Sequence, residues 1–109
     1  MFAAGDIVLV SFPFAEGTTA KQRPAIVLKK LEHYDDFLAL PVTTKSFHDH
    51  TVIVESAMIE RGSLPKTSWI RYDKIATLNS SQVLGRVATL NGNALKALTE
   101  MVCQGIGCR

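Results

Sequence analysis

Asp6-Ile7-Val8-Leu9-Val10-Ser11-Phe12-Pro13-Phe14 runs directly into Ala15-Glu16-Gly17-Thr18-Thr19. The first segment is rich in β-branched and aromatic residues and the second in turn formers, which is the pattern of a strand ending in a loop. The same signature recurs downstream. Pro24-Ala25-Ile26-Val27-Leu28 is a wholly apolar run opened by a proline, which a strand tolerates at its first residue, and it predicts a second strand buried on both faces. Phe37 to Thr44 and Thr51 to Glu55 predict two more, separated by the polar loop Lys45-Ser46-Phe47-His48-Asp49-His50. Trp69 to Leu78 and Gly85 to Leu90 complete a set of six, with Asn79-Ser80-Ser81 turning between the last two.

After Leu90 the period changes. Asn91 is an N-cap candidate, flanked by Leu90 and Leu95 at the two positions of a hydrophobic staple. Leu95, Leu98, Met101 and Val102 then recur at helical spacing, Lys96 and Glu100 fall on the other side, and Gly105 offers a stop. Closely spaced strands followed by one amphipathic helix predict a mainly β domain: a small, strongly curved antiparallel sheet or partly open barrel with a C-terminal helix on one side.

The chain has 109 residues, 47% apolar and 20% charged, with seven glycines and four prolines. That composition fits a single globular domain spanning 1–109 and excludes disorder and collagen-like repeats. No apolar run approaches the roughly 18 residues of a membrane span, and no basic segment followed by an apolar one opens the chain, so a soluble, cytoplasmic protein is expected. Residues 1–60 hold five basic and eight acidic side chains, a net of −3, against seven and two in residues 61–109, a net of +5. The second half therefore offers either a positive face to a polyanion or simply a solvated surface. Cys103 and Cys108 are too few for a disulfide framework or a zinc site, and free thiols are expected.

Several residues carry chemistry. His48 and His50 supply at most two metal ligands, so no metal site is expected. In Ser68-Trp69-Ile70-Arg71-Tyr72-Asp73-Lys74 a period of two aligns Trp69, Arg71 and Asp73 on one strand face. A cross-strand salt bridge beside a half-buried ring would explain the pattern. So would a nucleic-acid site, with the guanidinium on a phosphate, the indole under a base and the carboxylate orienting the arginine or moving a proton. Arg23, held extended by Pro24, and Thr43 and Thr44 at a strand end are further phosphate-binding candidates.

Taken in order, Gly5-Asp6-Ile7-Val8-Leu9-Val10 with Phe12-Pro13-Phe14, and Lys21-Gln22-Arg23-Pro24-Ala25-Ile26-Val27-Leu28, resemble the opening of the MazF/PemK toxin family. Leu40-Pro41-Val42-Thr43-Thr44-Lys45 resembles that family's Pro-x-Thr-[Ser/Thr] strand end. Gly62-Ser63-Leu64-Pro65-Lys66, Trp69-Ile70-Arg71-Tyr72-Asp73-Lys74 and Ile75-Ala76-Thr77-Leu78 resemble its central strand, and Gly85-Arg86-Val87 to Leu90 its approach to the terminal helix. The resemblance spans essentially the whole chain.

It implies an SH3-like barrel of the MazF/PemK/CcdB type and a toxin of a type II toxin-antitoxin pair. The implied activity is sequence-specific, metal-independent endoribonucleolytic cleavage of single-stranded RNA, without a cofactor, to 2′,3′-cyclic phosphate and 5′-hydroxyl ends. By position it implies Arg23 and Thr43 as catalytic residues of the MazF branch, and Arg71 and Asp73 as those of the PemK branch, with Asp73 the better base because a guanidinium stays protonated. RNA-binding positions would be Gly17, Thr18, Lys21 and Gln22 in the first loop, Thr44 and Lys45 after the third strand, and Trp69 and Lys74 on the central strand. A histidine of the PemK first loop has no counterpart among Gly17, Thr18, Thr19 and Ala20, which leaves the acid unassigned. A cognate antitoxin with an acidic segment and a homodimeric partner are implied as well. CcdB-type toxins share the barrel but bind DNA gyrase without cleaving anything, and a barrel that binds antitoxin without catalysis is the remaining alternative.

Overall fold

β-branched runs become strands wherever a neighbour can satisfy their backbone, and here one antiparallel sheet takes them all. The computed structural model describes residues 2–13, 20–45 and 49–108, with side chains except at residues 12, 13, 20 and 21. Its strands are β1 (Asp6–Pro13), β2 (Ala20–Lys30), β3 (Asp36–Thr43), β4 (Thr51–Ile53), β5 (Ile59–Gly62), β6 (Trp69–Arg71), β7 (Ala76–Asn79) and β8 (Val83–Leu90). They follow the order β4-β6-β3-β2-β1-β8-β5, with β7 also paired to β3. The helix α1 (Gly92–Ile106) closes the chain.

Several expectations change. The second strand does not open at Pro24: β2 begins at Ala20, so Lys21, Gln22 and Arg23 lie in the strand and pair with β1. Trp69 to Leu78 is not one strand: β6 pairs with the second half of β3, through Val42 and Thr43, and β7 with the first half, from Asp36 to Ala39. The chain turns between them at Tyr72-Asp73 because β3 offers one edge to both. Ile59–Gly62 also joins the sheet, as β5 beside β8. Gly62, at φ +75°, lies opposite Ala88, and a Cβ there would run into the Val87 carbonyl and the Ala88 Cα. A Gly62→Ala variant is therefore expected to lose about 1–3 kcal/mol of stability through strain at this position, read as a lower urea midpoint.

Alternation gives the sheet two cores. Ile7, Ile26, Leu40, Val42, Ile70, Ala88 and Leu90 face Ala94, Leu98 and Val102 of the helix. Their neighbours Val8, Val10, Ala25, Val27, Phe37, Ala39 and Leu78 form a second cluster on the face away from the helix. Asn91 caps α1 by accepting from the Ala94 N–H at 2.8 Å, and its amide donates to the Ala57 carbonyl at 2.8 Å, so one residue starts the helix and ties it to the 3-10 turn before β5.

The helix runs past Gly105 and stops at Gly107, whose left-handed backbone (φ 83°, ψ 22°) sends its N–H back to the Cys103 and Gln104 carbonyls. That reversal brings Cys108 over Cys103, Cα to Cα 5.0 Å, and the two form a disulfide, which corrects the expectation of free thiols. The sequence spacing alone did not reveal it, because the pairing depends on the fold-back at Gly107. Among the described residues, no helix is long and apolar enough to cross a membrane.

Candidate active site

The helix-free face carries polar side chains where its apolar cluster ends. Ala25 of β2 lies opposite Pro41 of β3, and two residues further towards the same end alternation puts Arg23 and Thr43 on that face too. Thr43 lies opposite Trp69, and Trp69 opposite Ile53. Arg71, two residues on from Trp69, shares its face and stands opposite Thr51. Arg23 pairs on its other side with Val10 of the second core cluster. Strand β2 thus presents an arginine, β3 a threonine, and β6 an indole and a second arginine on one surface, with β4 paired along the far edge of β6. Arg23 is exposed, and Thr43, Trp69 and Arg71 are half-buried.

Asp73 lies just past β6, where the turn folds its carboxylate back onto Arg71: Nη2 donates to Oδ2 at 3.2 Å. Desolvation pushes the Asp73 carboxyl upward, but the Arg71 hydrogen bond and charge, a bond to its own backbone and the charge of His50 outweigh it and hold the pKa below 3.8. Asp73 is therefore an anion at neutral pH and an acceptor for a proton. Because the folded value lies below the unfolded one, the ion pair stabilises the fold in full above the usual carboxylate range, and that contribution is lost as the pH falls through the depressed value. An NMR titration of the Asp73 carboxyl should show a midpoint below 3.8. In Arg71→Gln the midpoint should rise; an unchanged midpoint would mean that Arg71 does not set it.

Arg71 is not used up by this contact. Its Nε is buried and has no hydrogen-bond partner among the described residues, a situation that normally costs free energy and is relieved when an acceptor arrives. The side chain as a whole is half-buried rather than sealed, and its planar guanidinium fork suits a phosphate oxygen. Thr43 Oγ1 accepts the Lys45 N–H at 3.1 Å, which leaves the hydroxyl proton available for donation. Gln22, Thr44, Lys45 and Lys74 are exposed. Gly17 and Thr18 lie outside the described residues, as does the Lys21 side chain, and so does His48 of the histidine pair. Among the described residues no group of three His, Cys, Asp or Glu side chains gathers in a way that could hold a metal ion.

Sequence reasoning missed His50 and Tyr72 as neighbours of this site. The Tyr72 N–H donates to the His50 carbonyl at 3.2 Å, and the two rings meet edge to face with centroids 6.0 Å apart. Their separation in sequence hides this, since only the β4–β6 pairing brings them together.

The family model for PemK-like, MazF-like toxins of type II toxin-antitoxin systems matches residues 3–106. The chain belongs to that family. Among solved structures this PemK/MazF-family chain is similar to MazE-MazF (Form-II) from Deinococcus radiodurans, with TM-score 0.77, 20% identity, and 99% of this chain and 97% of that chain covered. An endoribonuclease from a mycobacterial species, in complex with its cognate antitoxin, matches with TM-score 0.71 at 15% identity over 100% of this chain and 98% of that one. The Mycobacterium tuberculosis toxin MazF-mt6 matches with TM-score 0.68 at 18% identity, covering 94% and 96%. At these identities the likeness is one of fold: the mainly β, curled antiparallel sheet with a C-terminal helix expected of the family is the one found. No curated protein matches the sequence.

Proposed function

We propose that this PemK/MazF-family toxin is a sequence-specific endoribonuclease that cuts single-stranded RNA to 2′,3′-cyclic phosphate and 5′-hydroxyl ends without a metal ion, and that a cognate antitoxin holds it in check. The observation that carries the reading is the Arg71–Asp73 pair with its unpartnered Nε, on the same face as Thr43 and Trp69. Family membership supports the toxin role, and structural neighbours named as endoribonucleases and as toxin-antitoxin complexes support the activity and the partner.

The chemistry follows from the residues. The ribose 2′-hydroxyl is its own nucleophile, so the protein needs to accept its proton, hold the negative charge gathering on phosphorus and orient the strand. Asp73, already ionised, is the acceptor. Arg71 and Arg23 are permanent cations that stabilise the phosphorane, and the Thr43 hydroxyl donates to a non-bridging oxygen. Trp69 gives a base a surface to stack on. Gly17, Thr18, Lys21, Gln22, Thr44, Lys45 and Lys74 bind the strand around the cut, and the segments 15–22 and 45–50 choose the sequence. The excess positive charge of residues 61–109 suits an acidic antitoxin segment laid over the same groove. A homodimer working in the cytoplasm completes the reading.

Purified protein incubated with total RNA in excess chelator is expected to yield discrete fragments with 5′-hydroxyl ends, and Arg23→Ala or Asp73→Ala to abolish them while the fold is kept. Cleavage that stops in chelator and resumes with a divalent ion would refute the metal-independent mechanism. Intact RNA together with inhibited gyrase supercoiling would replace the ribonuclease by a gyrase-binding toxin.

A further inference from the structure

The cleavage just proposed, on which this inference rests, leaves one proton unaccounted for. When the 2′-oxygen bonds to phosphorus, the 5′-oxygen departs as an alkoxide unless something protonates it. Neither guanidinium gives up a proton at neutral pH, and Asp73 is an acceptor. Tyr72 is half-buried, and its ring packs against the helix-side core.

His50 remains. It stands one residue before β4, whose Thr51 is opposite Arg71, and its carbonyl takes the Tyr72 N–H, so it sits across from the turn that carries Asp73. At φ 60° its backbone is left-handed, which takes the side chain out of the strand's alternation at the end of β6. A residue with a Cβ held in that conformation is strained. The imidazole lies edge-on to Tyr72, is exposed, and is close enough for its charge to act on Asp73. Among the described residues, the groups near it include Asp49 on its own segment, Arg71 opposite the adjacent Thr51, and Tyr72 and Asp73 in the facing turn.

We propose that His50 is the general acid of the cleavage, its imidazolium giving a proton to the departing 5′-oxygen. The atoms balance as follows. Asp73 takes the 2′-hydroxyl proton, the bond from the 2′-oxygen to phosphorus forms, and the bond from phosphorus to the 5′-oxygen breaks with its electron pair staying on oxygen. The His50 proton moves to that oxygen. Neutral His50 and protonated Asp73 then exchange with solvent and return to their starting states.

A substrate whose leaving group needs no proton isolates this step. Two oligoribonucleotides spanning one cleavage position mapped in total RNA are compared, one natural and one with sulfur in place of the bridging 5′-oxygen, since a thiolate leaves unprotonated. His50→Asn is the first variant, because asparagine accepts a left-handed backbone and transfers no proton; His50→Gln is the second. Each is assayed at a temperature where its circular dichroism matches the parent's. Both variants should cleave the natural strand at least about 10²-fold more slowly, yet cut the sulfur-bridged strand within about tenfold of the parent rate. Equal losses on the two strands, or no loss on the natural one, would overturn His50 as the acid while leaving the ribonuclease intact. A parent that cuts neither strand would remove the ribonuclease reading itself and the acid with it.

Discussion

An Arg71→Ala variant is expected to cleave RNA about 10²–10³ times more slowly than the parent, the usual cost of removing one preorganised donor from a developing anion. The magnitude follows from what Arg71 offers. Its Nη2 holds the Asp73 carboxylate at 3.2 Å and its permanent charge lies on the same face as Thr43 and Trp69, so one substitution removes the proposed charge clamp and frees the Asp73 carboxylate from its place. Stability should hardly move, because the side chains of the pair are 24% and 34% exposed and partly solvated ion pairs contribute little to folding. Arg71→Lys separates charge from geometry. An ammonium restores the cation without the planar fork, and partial recovery of rate is the expected result. Parent-like cleavage by Arg71→Ala at an unchanged melting temperature would place the reaction elsewhere on the molecule.

The largest effect on folding is expected at Phe37. Its side chain is fully buried in the core on the helix-free face, and the ring of Phe2 packs edge-on against it with centroids 4.9 Å apart. Phe37→Ala deletes the largest side chain of that cluster and leaves a cavity, at a cost of about 3–5 kcal/mol. Domains of this size have roughly 5–15 kcal/mol in total, so the variant should unfold at a much lower urea concentration with an unchanged slope. A shift equivalent to less than about 1 kcal/mol would mean that the smaller cluster collapses around the gap, and that the helix-side core carries the fold.

The terminal helix could be read from the chain because its signals are local: Asn91 caps it, and Leu98 and Val102, at helical spacing, lie on its buried side together with Ala94. The first three strands were legible for the same reason, each being a run of β-branched and aromatic residues. What escaped depends on partners distant in sequence. Trp69 to Leu78 contains no glycine or proline to announce a break, and it divides only because β3 gives half its edge to each part. Ile59–Gly62, with two charged residues in four, has no strand pattern of its own and is recruited by β8. At the site, the alternation of Trp69 and Arg71 put both on one face in advance, whereas Asp73 lies beyond the strand and meets Arg71 only because the turn at Tyr72-Asp73 folds it back. His50 was visible only as a loop histidine, since its nearness to Tyr72 and Asp73 arises from the pairing of β4 with β6.

The two-sided sheet also limits how such a chain can vary in length. In β3, Leu40 and Val42 face the helix while Ala39 faces away and Thr43 continues that side. Losing or gaining a single residue within this strand would exchange the sides from that point onward, sending hydroxyls into oil and aliphatic groups into the groove. Changes of length are therefore accommodated best outside the strands, between β1 and β2 and between β3 and β4, and both connections belong to the segments proposed above to choose the RNA sequence. The architecture thus keeps Arg23, Thr43, Trp69 and Arg71 in register on one face while the connections around them are free to vary in length.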